Sequence, residues 1–218
     1  MTDDQIHDAI EILRSVTRDW TTPYVTELAR QLNDPFRVLV STMLSLRTKD
    51  AVTAVASKRL FALANSPAAM LKLNTTEIET AIYPVGFYRT KARNIVTVCR
   101  EIVEHYEGHV PDDIDALVAL PGVGRKTANL VITLGFGKPG ICVDTHVHRI
   151  TNRWGYVNTK TPDQTEMALR EKLPREHWIE INDELVSFGQ HLCHPTSPRC
   201  SICPLTQYCD RVGVKRSR

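Results

Sequence analysis

The chain has 218 residues, 42% of them hydrophobic and 24% charged, a composition that suits one compact domain or two small ones and excludes a disordered chain. Its formal charge of +2 is too small to point to a nucleic-acid partner, so any DNA-binding face has to be a local patch. No apolar run approaches the ~20 residues of a membrane span, and the acidic, amphipathic start MTDDQIHDAI has neither the basic nor the apolar region of a signal peptide. The expectation is a cytoplasmic chain with no membrane association, in a compartment where clustered cysteines hold metal more often than they form disulfides.

Along the chain the apolar residues keep helical spacing. Ile6, Ile10, Leu13 and Val16 mark an amphipathic helix over 3–16. Asp34-Pro35 is an N-cap followed by proline at the first helical position, and it opens a strongly apolar helix from Phe36 to about Leu46. Thr48 or Asp50 can cap the next helix, through Val52, Val55, Leu60 and Phe61. Ser66-Pro67 starts a short helix, and Thr76 starts another that ends near Tyr83-Pro84 and Gly86. The period then predicts a helix from Thr90 to His105, closed by Gly108. Beyond the glycine- and proline-rich break at 135–140, helices are predicted to begin at Asp144-Thr145 and Thr161-Pro162, with one more over Glu176 to Gln190. No sustained period-two strand and no internal repeat is present, so the class is all-α, with about ten helices and short loops.

One stretch carries more than packing. In LPGVGRKTANLV, Leu120 to Val131, a helical apolar run stops at Pro121 and a second one begins after Gly124. The pattern is helix, tight turn, helix. Gly122 and Gly124 permit positive φ and leave no side chain over the turn, so backbone N–H groups can face an anion, and the following helix N-terminus adds its own. Lys126 then falls in the first helical turn, where the dipole disfavours a cation by ~0.3–1 kcal/mol. The same field favours the uncharged amine that a nucleophile requires. On these residues alone the stretch could equally be a plain helical corner with a solvated lysine.

Four of the six cysteines, Cys193, Cys200, Cys203 and Cys209, lie within 17 residues as C-x6-C-x2-C-x5-C. That density calls for a metal. The spacing leaves two options open: a structural zinc, which usually shows two short cysteine hooks where only one is present, or a [4Fe–4S] cluster, which accepts wider spacing. Cys99 and Cys142 lie in apolar contexts and read as buried packing residues. Asp144, in GICVDTHVHRI, is a good helix N-cap. His146, His148, His191 and His194 read as loop or surface residues, and the basic tail VKRSR as a frayed end.

LPGVGRKTAN, VDTH and the four-cysteine spacing together resemble the endonuclease III family of DNA glycosylases, a resemblance that extends over nearly the whole chain. It implies two helical lobes flanking a DNA-binding cleft: a six-helix barrel over 28–138 holding the helix-hairpin-helix at about 114–134, and a second lobe of residues 1–27 plus 139–218 carrying a [4Fe–4S] cluster on the four cysteines. It implies a monomer that binds double-stranded DNA containing damaged pyrimidines or abasic sites, cytoplasmic and nucleoid-associated if bacterial. Its activity would be that of a bifunctional DNA glycosylase and abasic-site lyase removing oxidised pyrimidines. Lys126 would be the nucleophile that forms an imine with C1′. Asp144 would help deprotonate Lys126 or stabilise positive charge on the sugar. Gly122, Val123, Gly124, Arg125 and Thr127 would form the DNA-binding hairpin.

In the family a glutamine and a leucine fill the gap left by the flipped nucleotide. Here MLSLRTKD places Arg47 at the first position and GFYRTKARNI places Phe87 at the second. Arginine can hydrogen-bond an orphaned base and phenylalanine can wedge between base pairs, although Phe87 could also be a core anchor. Arg89, Lys91 and Arg93 are further candidates for a phosphate track. Three other readings stand beside this one. The related adenine glycosylases need a carboxylate that is absent between Phe36 and Thr48. A mismatch-specific monofunctional glycosylase and a non-catalytic DNA-binding module with structural zinc both leave Lys126 without a role.

Overall fold

The computed structural model describes residues 1–20 and 22–218. They form twelve α-helices and, among the described residues, no strand: α1 (Asp3–Thr17), α2 (Tyr24–Leu32), α3 (Pro35–Ser45), α4 (Asp50–Leu63), α5 (Pro67–Met70), α6 (Thr75–Ile82), α7 (Tyr88–His105), α8 (Ile114–Ala119), α9 (Arg125–Leu130), α10 (Thr145–Arg153), α11 (Pro162–Lys172) and α12 (Ile181–His191). No described helix is long and apolar enough to cross a membrane. The chain divides into two compact units, Pro23–Lys138 and Met1–Thr22 with Pro139–Arg218.

The unit Pro23–Lys138 is built around α3. Its residues from Val38 to Leu44 are buried without interruption, the mark of a helix enclosed on all sides. Asp34 caps it, accepting from the N–H groups of Phe36 and Arg37 through Oδ1 at 3.0 and 3.1 Å. Around α3 pack α2, α4, α7 and α9, contributing Val25, Ala56, Leu60, Ile95, Val98 and Ala128 to one continuous core. Helix α2 was not predicted, and it moves the expected boundary from residue 28 to Pro23. Its Val25, Leu28 and Ala29 are buried, and this i, i+3, i+4 pattern was present in the sequence.

Several starts also differ from the expected ones. Lys49, not Thr48 or Asp50, is the N-cap of α4, because the Asp50 carboxylate is turned to the Tyr24 N–H at 2.9 Å. Asn74 caps α6 in a reciprocal box with Glu77. Helix α7 starts two residues before Thr90, immediately after Phe87. Past Leu130, α9 continues as a π turn, Val131–Gly135.

The second unit pairs α1 and α10 with α12, and α10 with α11. Ile6, Ile10 and Leu13 meet Val147, Ile150, Trp154, Leu185 and Phe188 in its core. The predicted helix over 176–190 is two elements: a 3-10 turn, Arg175–His177, and α12. A polar seam lies beside α1. Arg14 binds Glu184 and Glu180, each at 2.9 Å, and lies 3.3 Å from Nδ1 of buried His177. A guanidinium only donates, so Nδ1 accepts and Nε2 of neutral His177 donates to Nδ1 of His7 at 3.0 Å. Both ring nitrogens of His177 are thereby engaged within the His7–Glu176–His177 cluster.

Candidate active site and cluster loop

The hairpin joins α8 to α9. Asp113 caps α8 through the Ala116 N–H at 2.9 Å, and the chain turns at Gly122, whose φ is +77°. A side chain there would be strained and would also meet Nδ2 of Asn94 at 2.4 Å, so the turn lies flush against α7. Val123 and Thr127 are 5% and 1% exposed. Their side chains anchor the hairpin in the core, and only their backbone can serve the binding role expected of them. The first helical bond of α9 runs from the Ala128 N–H to the Gly124 carbonyl at 2.9 Å. The amides of its first turn therefore point out of its N-terminal end, beside exposed Gly122 and Gly124. Lys126, the second residue of α9, is exposed on that turn while Arg125 is half-buried.

Asp144 is the N-cap of α10. Its Oδ1 accepts from the N–H groups of His146 and Val147 at 2.7 and 2.9 Å, so both backbone bonds go to one oxygen and Oδ2 stays outside the cap. The two nearby histidines are tied into the fold: His146 to Arg149 at 3.1 Å, and His148 to the Thr165 hydroxyl at 2.7 Å.

The residues expected to face DNA along 47–93 divide sharply. Arg47 is exposed and Phe87 is 64% exposed, so Phe87 is not a core anchor. The Arg47 guanidinium carbon lies 5.5 Å from the centre of the Phe87 ring. Arg89 and Arg93, one helical turn apart on α7, are also exposed. Lys91 corrects the expected phosphate track. It is 8% exposed, and its ammonium donates inward to the Leu44 and Leu46 carbonyls. Burial pulls its amine down to about 8.

The four cysteines of 193–209 are unbridged and half-buried. Together with Arg153, Trp154, Phe188, Leu192 and Pro198 they line one pocket. Burial pushes the Cys203 and Cys209 thiols up, and the other cysteines add to the effect. Four converging thiols that repel one another once ionised fit an iron-bearing group that takes them as thiolates. The surroundings fit it too. Buried Arg153 is 3.4 Å from Sγ of Cys193 and donates to the His194 carbonyl at 2.7 Å, and Arg149 donates to the Cys193 carbonyl at 2.8 Å. These two arginines give the loop positive charge and hold its backbone. Sequence reasoning missed them, since nothing in THVHRITNR distinguishes a loop-binding arginine from a solvated one. Cys99 and Cys142 are buried, as expected.

Two family models match. Residues 40–175 match the helix-hairpin-helix superfamily of base excision DNA repair proteins, and residues 193–209 match the iron–sulfur binding domain of endonuclease III. The chain is 46% identical over 196 residues to endonuclease III of Thermotoga maritima, covering 85% of this chain and 92% of the relative. The chain belongs to the endonuclease III family. It is 38% identical over 201 residues to endonuclease III of Escherichia coli K12, covering 92% of this chain and 94% of that one. Its backbone matches the solved structure of a trapped endonuclease III–DNA covalent intermediate with a TM-score of 0.85 at 35% identity, over 97% of each chain. A thermostable thymine-DNA glycosylase is more distant, with a TM-score of 0.75 at 26% identity, covering 84% of this chain and 86% of that one. Membership of the endonuclease III family brings with it the all-α fold and the [4Fe–4S] cofactor.

Proposed function

We propose that this chain repairs double-stranded DNA as a monomer in the cytoplasm, removing oxidised pyrimidines and cutting at abasic sites, with Lys126 as its nucleophile. The chain is a base excision repair enzyme, a DNA glycosylase and abasic-site lyase. The observation that carries the assignment of its nucleophile is the placement of Lys126, an exposed residue, in the first turn of α9, directly behind the Gly122–Gly124 turn. Amides and helix dipole there suit a phosphate, and a phosphate held by the turn would bring the sugar of a neighbouring nucleotide toward the amine.

Reaching C1′ requires the nucleotide to leave the stack, at a cost of a few kcal/mol that is lower for a damaged base. Arg47 and Phe87 would occupy the gap. The uncharged Nζ of Lys126 attacks C1′, and the N-glycosidic bond breaks with its electron pair leaving on the base, which takes up a proton. The nitrogen then loses a proton, the C1′–O4′ bond opens with O4′ becoming a hydroxyl, and an imine joins lysine to sugar. Loss of a C2′ proton expels the 3′ phosphate, and water hydrolyses the imine to free Lys126. The Asp144 carboxylate, held at Oδ1 by the α10 cap, would take the lysine proton or stabilise positive charge on the sugar through Oδ2.

Cys193, Cys200, Cys203 and Cys209 would hold the cluster, which when bound supplies a four-point cross-link of the loop. The chemistry above involves no net electron transfer. With a thymine-glycol duplex, the purified holoenzyme should release the base and leave a 3′ unsaturated aldehyde end without added alkali. Base release leaving an intact abasic strand would make the enzyme monofunctional and remove Lys126 from this role.

A further inference from the structure

Arg47 and Phe87 share an unusual backbone. Their φ angles are 54° and 58°, in the left-handed region that non-glycine residues rarely adopt and that persists where surrounding contacts enforce it. Arg47 follows α3 directly after Leu46, and Phe87 immediately precedes α7. The two segments are fastened to each other. The Gly86 N–H donates to Oγ1 of Thr48 at 3.1 Å, and a Cβ on Gly86 would lie 2.7 Å from the Arg47 carbonyl, so only glycine allows this approach.

Beneath both segments is Lys91, one turn into α7. Its three ammonium protons meet three acceptors: the Leu44 carbonyl at 2.8 Å, the Leu46 carbonyl at 2.5 Å and Oγ1 of Thr48 at 3.3 Å. The two carbonyls belong to the end of α3, where the helix leaves its own acceptors unmatched. Lys91 therefore closes α3 from another helix, and through Thr48 it reaches the hydroxyl that also holds Gly86. Among the described residues, the partners of this ammonium are carbonyls and a hydroxyl, with no carboxylate. A buried cation satisfied only by carbonyls and a hydroxyl is a costly way to fill space, and its return is the geometry of residues 46–48.

We propose that Lys91 is the positioning residue that locks Arg47 and Phe87 into one preassembled pair, serving nucleotide extrusion rather than the chemistry at C1′. The inference rests on the reading of Arg47 and Phe87 as the gap-filling residues. Lys91 touches neither substrate nor reacting atoms, so its contribution belongs to duplex lesions, where a base must leave the stack and a gap must be filled. A single-stranded abasic site makes neither demand.

The test is a mutant cycle on the cluster-replete enzyme: Lys91→Met, Arg47→Ala with Phe87→Ala, and all three together. Single-turnover rates are measured on a thymine-glycol duplex and on a single-stranded abasic oligonucleotide, with 2-aminopurine opposite the lesion reporting loss of stacking. Lys91→Met should slow duplex excision about tenfold to a hundredfold, the scale of an ångström-level misplacement, and reduce the 2-aminopurine signal. Single-strand cleavage should stay within about twofold, since the hairpin and Lys126 are untouched. In the background lacking both gap-filling side chains, Lys91→Met should add nothing further to the duplex defect.

An equal loss on both substrates, or an undiminished effect in the triple variant, makes Lys91 a general structural residue and overturns the proposal. A duplex defect from Arg47→Ala with Phe87→Ala but none from Lys91→Met overturns it while sparing the gap-filling reading. No defect from Arg47→Ala with Phe87→Ala removes the gap-filling reading itself. Should Lys91→Met not fold, Thr48→Val deletes the shared hydroxyl and is read against the same outcomes.

Discussion

At the residue scale the deciding features are single side chains whose surroundings leave them one use. Asp144 combines a cap with a proposed catalytic carboxylate, and the two can be separated. Asn at this position can still accept the His146 and Val147 N–H bonds, whereas Ala cannot. Asp144→Asn should melt close to wild type yet lose about a hundredfold or more in base excision, on the scale of removing one transition-state electrostatic contact. Asp144→Ala should lose a further ~1 kcal/mol of stability by thermal melting. Full activity in Asp144→Asn would reduce the residue to its cap. Glu184 gives a second prediction. Burial pushes its carboxyl up to about 7, against the pull of Arg14. The folded state therefore holds a proton that the unfolded state releases above its lower, ordinary value of 4.5. This contribution to stability is complete below 4.5 and is lost as pH rises through 7. Melting measured from pH 4.5 to 8 should show Glu184→Gln gaining on wild type as pH rises, and a constant difference would mean that the Arg14 pair governs the group. At this scale the turn that carries Lys126, the Asp144 cap and the clustered cysteines were legible because their spacing is local. Lys91 was misread because RTKARNI looks the same whether its lysine faces water or the end of another helix.

At the element scale α7 does more than its amphipathic period announces. It carries Phe87 before its first turn, Lys91 under the residues that follow α3, and Asn94 against the hairpin turn. Gly122→Ala should therefore disturb the hairpin twice, through its φ of +77° and through the 2.4 Å approach to Asn94. The expected result is a loss of about 1–3 kcal/mol in denaturant melts, with weakened duplex binding by fluorescence anisotropy. A variant with wild-type melting and binding would contradict the hairpin geometry. The helices called from period and caps match the structure most closely where a proline or aspartate marks the start, as at Asp34-Pro35 and Thr161-Pro162. They shift where tertiary contacts took the capping side chain elsewhere, as with Asp50 and Tyr24. Helix α2 has a regular i, i+3, i+4 pattern but no capping side chain to announce its start, and the π turn after Leu130 has no sequence signature.

At the scale of the whole molecule the charge of +2 means that binding cannot come from bulk attraction. On the proposed reading it comes from a few phosphate contacts at the hairpin and along exposed Arg89 and Arg93. DNA affinity should therefore fall linearly with salt on a log–log plot, with a slope near −0.9 for each phosphate contacted. Salt-independent binding would contradict those contacts. The two-unit division could not be placed from composition at the Pro23 end, because membership there depends on which core buries Val25 and Ala29. The central claim is that one chain performs both base removal and strand cleavage through one lysine. Its most direct test is borohydride trapping on a thymine-glycol duplex, with wild type beside Lys126→Ala, both carrying the cluster. The account predicts a covalent protein–DNA adduct from wild type and none from the variant. An adduct that persists in Lys126→Ala, or no adduct from active wild type, would contradict it.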